Sequence, residues 1–263
     1  MKKILKITAA TAATLIIIIC SLYFFWLSPK YTVPIFTYHC FGYEDQSLFV
    51  TPENFDKQMR YLKNKGYNVI SLDEFVEGMK KQKRFKHSTV VITIDDGYKD
   101  NFIYAYPILK KYGFPAMIFV ASDYIGTRDN FMNWDQVKVM LKDGISFGGH
   151  SRSHAYLPSI KEKDVLWNEI AGCKEVIEKQ TGRPVDYFCY PKGGFKEETK
   201  MFVEKARYKG ACTTNRGFDA FNKTDVYEIH RIKITNSDMN IPFSFRAKLS
   251  GYYNIFRKTK PGD

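Results

Sequence analysis

Apolar runs alternate with amphipathic stretches along most of the chain. Eight short runs rich in β-branched and aromatic residues are predicted to be strands: 33–39, 67–72, 89–95, 116–121, 145–149, 187–191, 210–214 and 228–234. Six stretches between them carry apolar residues at helical spacing: 54–65, 73–82, 99–112, 134–143, 162–181 and 196–208. Strands that alternate with helices predict an α/β fold with a parallel sheet, and a closed barrel is the first candidate arrangement of that sheet.

The N-terminal segment has no charge over 21 residues, 7–27, after three lysines within the first six positions. A run of that length is sufficient to cross a bilayer core of about 30 Å, and the lysines favour a cytoplasmic N-terminus. We therefore expect residues 1–30 to form a single-pass transmembrane anchor in the cell membrane and residues 31–263 to form an extracellular domain. A cleaved signal peptide is the alternative, although the bulky aromatic residues 23–26 are not typical of a cleavage site.

The composition is that of a basic protein. The chain carries 40 Lys and Arg against 28 Asp and Glu, for a net charge of +12, but these residues are scattered and accompany no nucleic-acid-binding motif. We expect no nucleic-acid partner, and the charge instead favours contact with an anionic wall polymer. The five cysteines show no paired spacing, which argues against a zinc knuckle or a disulfide framework.

Residues with metal-binding chemistry lie at the ends of two predicted strands. Asp95 and Asp96 end one strand, and His150 and His154 follow another with the spacing of one helical turn. Active sites on such folds lie at the carboxyl ends of the strands. Two imidazoles and one carboxylate suit Zn²⁺, Co²⁺, Ni²⁺ or Fe²⁺ and leave open coordination positions. The other carboxylate is then free to act as a general base, because a bound metal lowers the pKa of its water toward about 7.

Three short motifs resemble those of the polysaccharide deacetylases with a NodB-homology domain, carbohydrate esterase family 4. They are "TIDDG" at 93–97, "HSRSH" at 150–154 and "FCYPKG" at 188–193. The resemblance covers about residues 33–235 and implies a distorted (β/α) barrel of the NodB-homology type.

The same resemblance implies a role for each motif residue. Asp95 would be the catalytic base, and Asp96, His150 and His154 would hold the metal, with Zn²⁺ the first candidate and Co²⁺ or Ni²⁺ as alternatives. The third motif would line the substrate pocket through Tyr190, Pro191 and Lys192, and the backbone N–H of Lys192 would help to bind the oxyanion.

Two features depart from the family pattern. The third motif usually carries an arginine two places before its proline, where this chain has Cys189, so we expect Arg231 to orient the base instead. The family's general acid is a histidine at a late strand end. Here "PIFTYH", ending in His39, resembles the opening of the poly-N-acetylglucosamine (intercellular adhesin) deacetylase branch, whose motifs are circularly permuted. His39 is therefore the predicted acid and His230 the alternative.

The expected activity is metal-dependent removal of N-acetyl groups from an extracellular polysaccharide that contains N-acetylglucosamine. Poly-N-acetylglucosamine is the first candidate substrate, and peptidoglycan is the alternative. A non-catalytic carbohydrate-binding protein would not need both aspartates together with both histidines. An iron oxygenase shares the two-histidine, one-carboxylate ligand set but is expected on an all-β fold with an H-x-D motif, which this chain lacks.

Overall fold

The computed structural model describes residues 2–214, 225–241 and 243–256. The strands in these residues are β1 (Ile35–Tyr38), β2 (Cys40–Phe41), β3 (Phe49–Val50), β4 (Asn68–Ile70), β5 (Thr89–Ile94), β6 (Ala116–Val120), β7 (Ile145–Gly149), β8 (Tyr187–Cys189), β9 (Gly210–Thr213), β10 (Ile229–His230) and β11 (Ile232–Lys233). Each predicted strand region contains an observed strand, and the last is divided in two at Arg231. The short strands β2 and β3 were not predicted from the sequence.

The main sheet is parallel throughout and nearly closes on itself. Its order is β10-β9-β8-β7-β6-β5-β1-β11, with β4 also paired to β5. The two strands at the ends of this order are separated in the chain only by Arg231. One extended segment therefore pairs with β9 through Ile229 and with β1 through Ile232. The predicted parallel barrel is confirmed.

The helices in the described residues are α1 (Lys2–Ser21), α2 (Pro52–Asn64), α3 (Leu72–Lys80), α4 (Tyr106–Tyr112), α5 (Trp134–Lys142), α6 (Lys163–Trp167), α7 (Cys173–Thr181), α8 (Glu197–Lys205) and α9 (Ser244–Leu249). Helices α2 to α8 lie close to the predicted helical stretches, whereas α9 was not predicted. Side-chain caps begin several of them, as where the Thr51 hydroxyl accepts a hydrogen bond from the Asn54 N–H. A π-helical turn, Asn168–Gly172, joins α6 to α7.

The strands are buried on both faces, as expected of a barrel surrounded by helices. Alternate residues such as Phe36 and Ile92 pack toward the helices in the larger apolar cluster. Ile35 and Val91 pack in the smaller cluster, together with residues of α3. Because strand residues alternate in direction, this second face also carries Thr37, Thr93 and the residues that follow them at the carboxyl ends of the strands.

The predicted membrane-spanning helix over residues 7–27 is not supported. The apolar run occupies α1 and the π-helical turn Leu22–Leu27 that follows it directly. Among the residues that the structure describes, no helix is both long and apolar enough to cross a bilayer.

Candidate active site

Left-handed backbone turns carry the side chains at the carboxyl end of the barrel. Asp96 has φ 73° and Gly97 has φ 84° directly after β5, while His154 has φ 56° in the loop after β7. A side chain at Gly97 would place its Cβ 2.8 Å from Val120, so only glycine fits this turn. Non-glycine residues in this conformation are strained, and such strain is concentrated at functional sites.

Asp96, His150 and His154 converge on one point. Asp96 Oδ1 lies 3.3 Å from His150 Nε2 and 3.2 Å from His154 Nε2. The carbonyl of Cys189 lies 2.7 Å from His150 Nδ1, so in the neutral imidazole Nδ1 carries the proton and Nε2 presents its lone pair to Asp96. Two electron-pair donors that face each other at this distance need a proton or a metal cation between them.

The chemistry of these donors fits a divalent metal ion. Asp96 Oδ1 is buried and has no hydrogen-bond partner among the described residues. Burial acts to raise the pKa of Asp96, but the two neighbouring imidazoles outweigh it and lower that pKa, so the carboxylate is ionised. One carboxylate and two imidazoles within 4.8 Å of one another form the candidate metal site.

A second group of potential ligands does not suit a metal. Donor atoms of Asp95, His150 and Cys189 also lie within 4.8 Å of one another. Arg231, however, donates to Asp95 and, at 3.0 Å, to the Cys189 sulfur. A fixed guanidinium charge at this position opposes the binding of another cation.

Arg231 holds Asp95 in a buried, bidentate ion pair. Its Nη1 and Nη2 each lie 2.7 Å from one carboxylate oxygen of Asp95, and Nη1 also donates to the Thr93 hydroxyl at 2.9 Å. The side chains of Arg231 and Asp95 are 0% and 1% exposed, respectively. Burial acts to raise the pKa of Asp95, but the charge and hydrogen bonds of Arg231 outweigh it and lower that pKa. Asp95 is therefore ionised and fixed in orientation.

His39 reaches this pair from the end of β1. Its Nε2 lies 3.7 Å from Asp95 Oδ2, and its main-chain carbonyl accepts a hydrogen bond from Asn101 Nδ2 at 2.9 Å. Burial lowers the pKa of His39, although the carboxylates of Asp95 and Asp96 act in the opposite direction. The structure thus brings His39, and not only the candidate metal ligands, to Asp95.

The alternative histidine, His230, is directed elsewhere. Ile229 packs in the smaller apolar cluster, and Arg231 points into the site from the same face of the strand. Because adjacent side chains of a strand alternate in direction, His230 points to the opposite face of the sheet. The structure therefore does not bring His230 together with Asp95.

The third motif places Tyr190 in the protein interior and Lys192 in a left-handed turn. Tyr190 is fully buried, and its hydroxyl donates to the Tyr227 carbonyl at 3.0 Å, so it does not line the pocket as predicted. Pro191 is also buried and begins a 3₁₀ turn in which Lys192 has φ 57°. A Cβ at Gly193 would lie 2.0 Å from the Thr214 hydroxyl, which explains the glycine that follows.

A clamp of hydrogen bonds fixes the loop between the two histidines. Glu169 accepts from the Ser153 N–H at 3.0 Å and from its hydroxyl at 2.7 Å. Arg152 donates to Asp123 at 3.0 Å and to Asn168 at 3.1 Å. Asn168 and Glu169 belong to the π-helical turn, a distortion that often occurs at functional sites.

Thr37 and Thr93 lie within quoted motifs, which do not reveal their supporting role. Thr37 donates to Asp95 Oδ2 at 3.3 Å and Thr93 accepts from Arg231. Each threonine lies two residues before His39 or Asp95, so the period of a strand would have placed it on the same face. No local signal identifies Asn101 or Glu169, because their partners lie on other elements.

A cavity of about 490 Å³ adjoins the site on the side of His39 and Arg231. Its lining consists of Thr37, His39, Leu48, Lys192, Thr214, Arg231, Ile232, Lys233, Thr235, Lys248, Tyr253 and Asn254. A concave space of this volume is typical of small-molecule and saccharide sites.

Two relatives share most of their length with this chain. YxkH of Bacillus subtilis (strain 168), whose name assigns it to the polysaccharide deacetylases, is 32% identical over 203 residues, which is 77% of this chain and 71% of YxkH. Poly-beta-1,6-N-acetyl-D-glucosamine N-deacetylase of Staphylococcus aureus (strain MSSA476) is 28% identical over 206 residues, or 73% of this chain and 70% of that protein.

Solved structures and a family model agree with these relatives. The Streptococcus pyogenes deacetylase PplD, in complex with acetate, is similar with a TM-score of 0.74 and 26% identity over 87% of this chain and 98% of PplD. A polysaccharide deacetylase from Bacillus cereus has a TM-score of 0.71 and 27% identity, covering 82% of this chain and 68% of that one. The polysaccharide deacetylase model matches residues 82–211. The chain therefore belongs to the polysaccharide deacetylase family, NodB-homology enzymes of carbohydrate esterase family 4 that hydrolyse N-acetyl amide bonds.

Proposed function

We propose that this deacetylase depends on a divalent metal ion and acts on poly-N-acetylglucosamine. The observation that supports metal dependence is the convergence of two imidazole nitrogens on the unpartnered Asp96 Oδ1. The similarity to the S. aureus enzyme supports the substrate, as does a histidine at the end of β1 beside the proposed base. Zn²⁺ is the first candidate, because it is common in sites of two histidines and one carboxylate, and Co²⁺ and Ni²⁺ accept the same ligands.

Asp96, His150 and His154 would hold the metal, which supplies Lewis-acid activation of the water and of the acetamide carbonyl. Asp95, kept ionised by Arg231, removes the proton from the attacking water. The backbone N–H of Lys192 donates to the acyl oxygen as negative charge develops there. His39, in its protonated form, gives a proton to the amide nitrogen as the C–N bond breaks. The products are acetate and a glucosamine unit with a free amine.

Metal analysis of two variants separates binding from catalysis. His154→Ala should lose most of its metal and its activity while keeping its fold, because His154 is a proposed ligand. Asp95→Asn should keep its metal and lose roughly 10²–10⁴-fold in rate, since general base catalysis typically contributes that much. The measurements are elemental analysis after dialysis, circular dichroism and acetate release. Stoichiometric metal in His154→Ala would overturn the ligand assignment.

Substrate choice is tested by acetate release from a panel of polymers. The enzyme should release acetate faster from β-1,6-linked poly-N-acetylglucosamine than from peptidoglycan at equal acetyl concentration. A chelator should abolish the reaction, and added Zn²⁺ should restore it. Faster release from peptidoglycan would instead favour the alternative substrate while leaving the metal proposal intact.

A further inference from the structure

The cavity beside the site has a strongly basic lining. Lys192, Arg231, Lys233 and Lys248 border it, and no Asp or Glu does so among the residues that the structure describes. His39, the proposed acid, also borders it, so a group that fills this space lies next to the departing amine. The remaining polar lining comes from threonine hydroxyls, Tyr253 and Asn254, which are hydrogen-bonding groups without charge.

Two of the four cations are already neutralised within the fold. Arg231 is paired with Asp95, and Lys248 Nζ lies 2.7 Å from Asp238 Oδ2. Lys192 and Lys233 have no carboxylate within 4.0 Å in the described ranges, so the positive charge that faces the cavity comes from these two side chains. The side chain of Lys233 is exposed, and partial desolvation together with the nearby charge of Lys248 lowers its pKa. An anion in the cavity would offset the repulsion between these two ammonium groups.

We propose that this cavity binds an acidic substituent, a carboxylate or a phosphodiester, on the polymer unit next to the one that is deacetylated. Lys233 provides the principal charge, and the hydroxyls of Thr214 and Tyr253 add hydrogen-bonding groups to the lining. The inference rests on the proposed function, since it concerns the substrate of the same site. It narrows the substrate class from any N-acetylglucosamine polymer to one that carries negative charge. The net charge of +12 would assist the approach of such a polymer.

The test compares three matched oligosaccharides of β-1,6-linked N-acetylglucosamine, one neutral, one carrying a succinyl half-ester and one carrying a phosphodiester. We expect kcat/KM for an acidic oligosaccharide to exceed that for the neutral one by about 10-fold at low ionic strength, and the advantage to shrink as salt screens the charges. The two acidic substrates distinguish the carboxylate from the phosphodiester. Inorganic phosphate and succinate should each inhibit the wild-type enzyme competitively. The stronger inhibitor should be the anion that corresponds to the preferred acidic substrate, and this measurement needs no variant.

A charge-removing variant then assigns the effect to the cavity. Lys233→Met should reduce the ratio of acidic to neutral kcat/KM by about 3–10-fold, mainly through KM. The control is Lys81→Met, an exposed lysine at the end of α3 that does not border the cavity and should leave the ratio as in the wild type. Thermal denaturation monitors folding of both variants. Equal kcat/KM for all three substrates, or an unchanged ratio in Lys233→Met, would overturn the inference. Absence of acetate release from every substrate would instead contradict the proposed function.

Discussion

The ion pair between Arg231 and Asp95 offers a direct test of how this site is built. Arg231→Met removes the guanidinium but keeps an unbranched apolar side chain in its place. Asp95 would then be a carboxylate with 1% exposure that has lost both of its 2.7 Å charge-assisted hydrogen bonds. The threonine hydroxyl of Thr37, at 3.3 Å, is too weak a partner to compensate.

The expected cost is large relative to the stability of a domain. Removing one partner of a buried ion pair destabilises a protein by about 3–5 kcal/mol, because the other charge is left uncompensated. Total stabilities are typically about 5–15 kcal/mol, so the variant should lose a substantial fraction of its free energy of unfolding.

The loss should also depend on pH in a defined direction. In the wild type Arg231 holds the pKa of Asp95 below its ordinary value, so the pair stabilises the fold above about pH 4. That contribution is lost as the pH falls through the lowered pKa. In the variant burial acts without Arg231 and raises the pKa of Asp95 instead, so destabilisation appears as the pH rises above about 4. The two proteins should therefore differ most at neutral pH and converge in acid.

Urea unfolding of the full chain at pH 7 and pH 4.5, with chelator present, measures these differences. The double variant Asp95→Asn/Arg231→Met removes both charges and should recover most of the stability lost in Arg231→Met. A double-mutant cycle with Asp95→Asn gives the coupling between the two side chains. A loss below about 1 kcal/mol at pH 7, or strictly additive effects in the cycle, would refute the reasoning.

Four further variants test the site and its surroundings. Glu169→Gln weakens the acceptor of both Ser153 hydrogen bonds and should reduce metal affinity about 10-fold in a calorimetric titration. Unchanged affinity would show that these hydrogen bonds are not required to position the loop. Burial raises the pKa of Asp100 to about 7, so its ionised form destabilises the fold at pH 8, whereas its neutral form does not at pH 4. Asp100→Asn should therefore be more stable than the wild type by on the order of 2 kcal/mol at pH 8 and equally stable at pH 4, as measured by urea unfolding. His39→Ala should flatten the alkaline limb of the kcat/KM profile, and the same result in His230→Ala alone would transfer the acid role.

The alternation of short apolar runs with helical patterns was sufficient to predict the barrel. Each run predicts its own element locally, and parallel strands connected by helices have few ways to close. The same reasoning placed Asp96 and His150 together, because the carboxyl ends of parallel strands meet at one end of the sheet. Family motifs added specific roles, which stay predictions until the variants above are measured.

The geometry of contacts between elements distant in sequence was decided only by the tertiary structure. The sequence suggested Arg231 as the residue that orients Asp95, but not their buried bidentate pairing. Arg231 and Asp95 are 136 residues apart, and they meet because β10 and β11 close the barrel between β9 and β1. The same closure separates His230 from the site, since adjacent side chains of a strand face opposite ways. Local sequence patterns specify the individual strands and helices, whereas the side chains that contact one another depend on how the whole sheet closes.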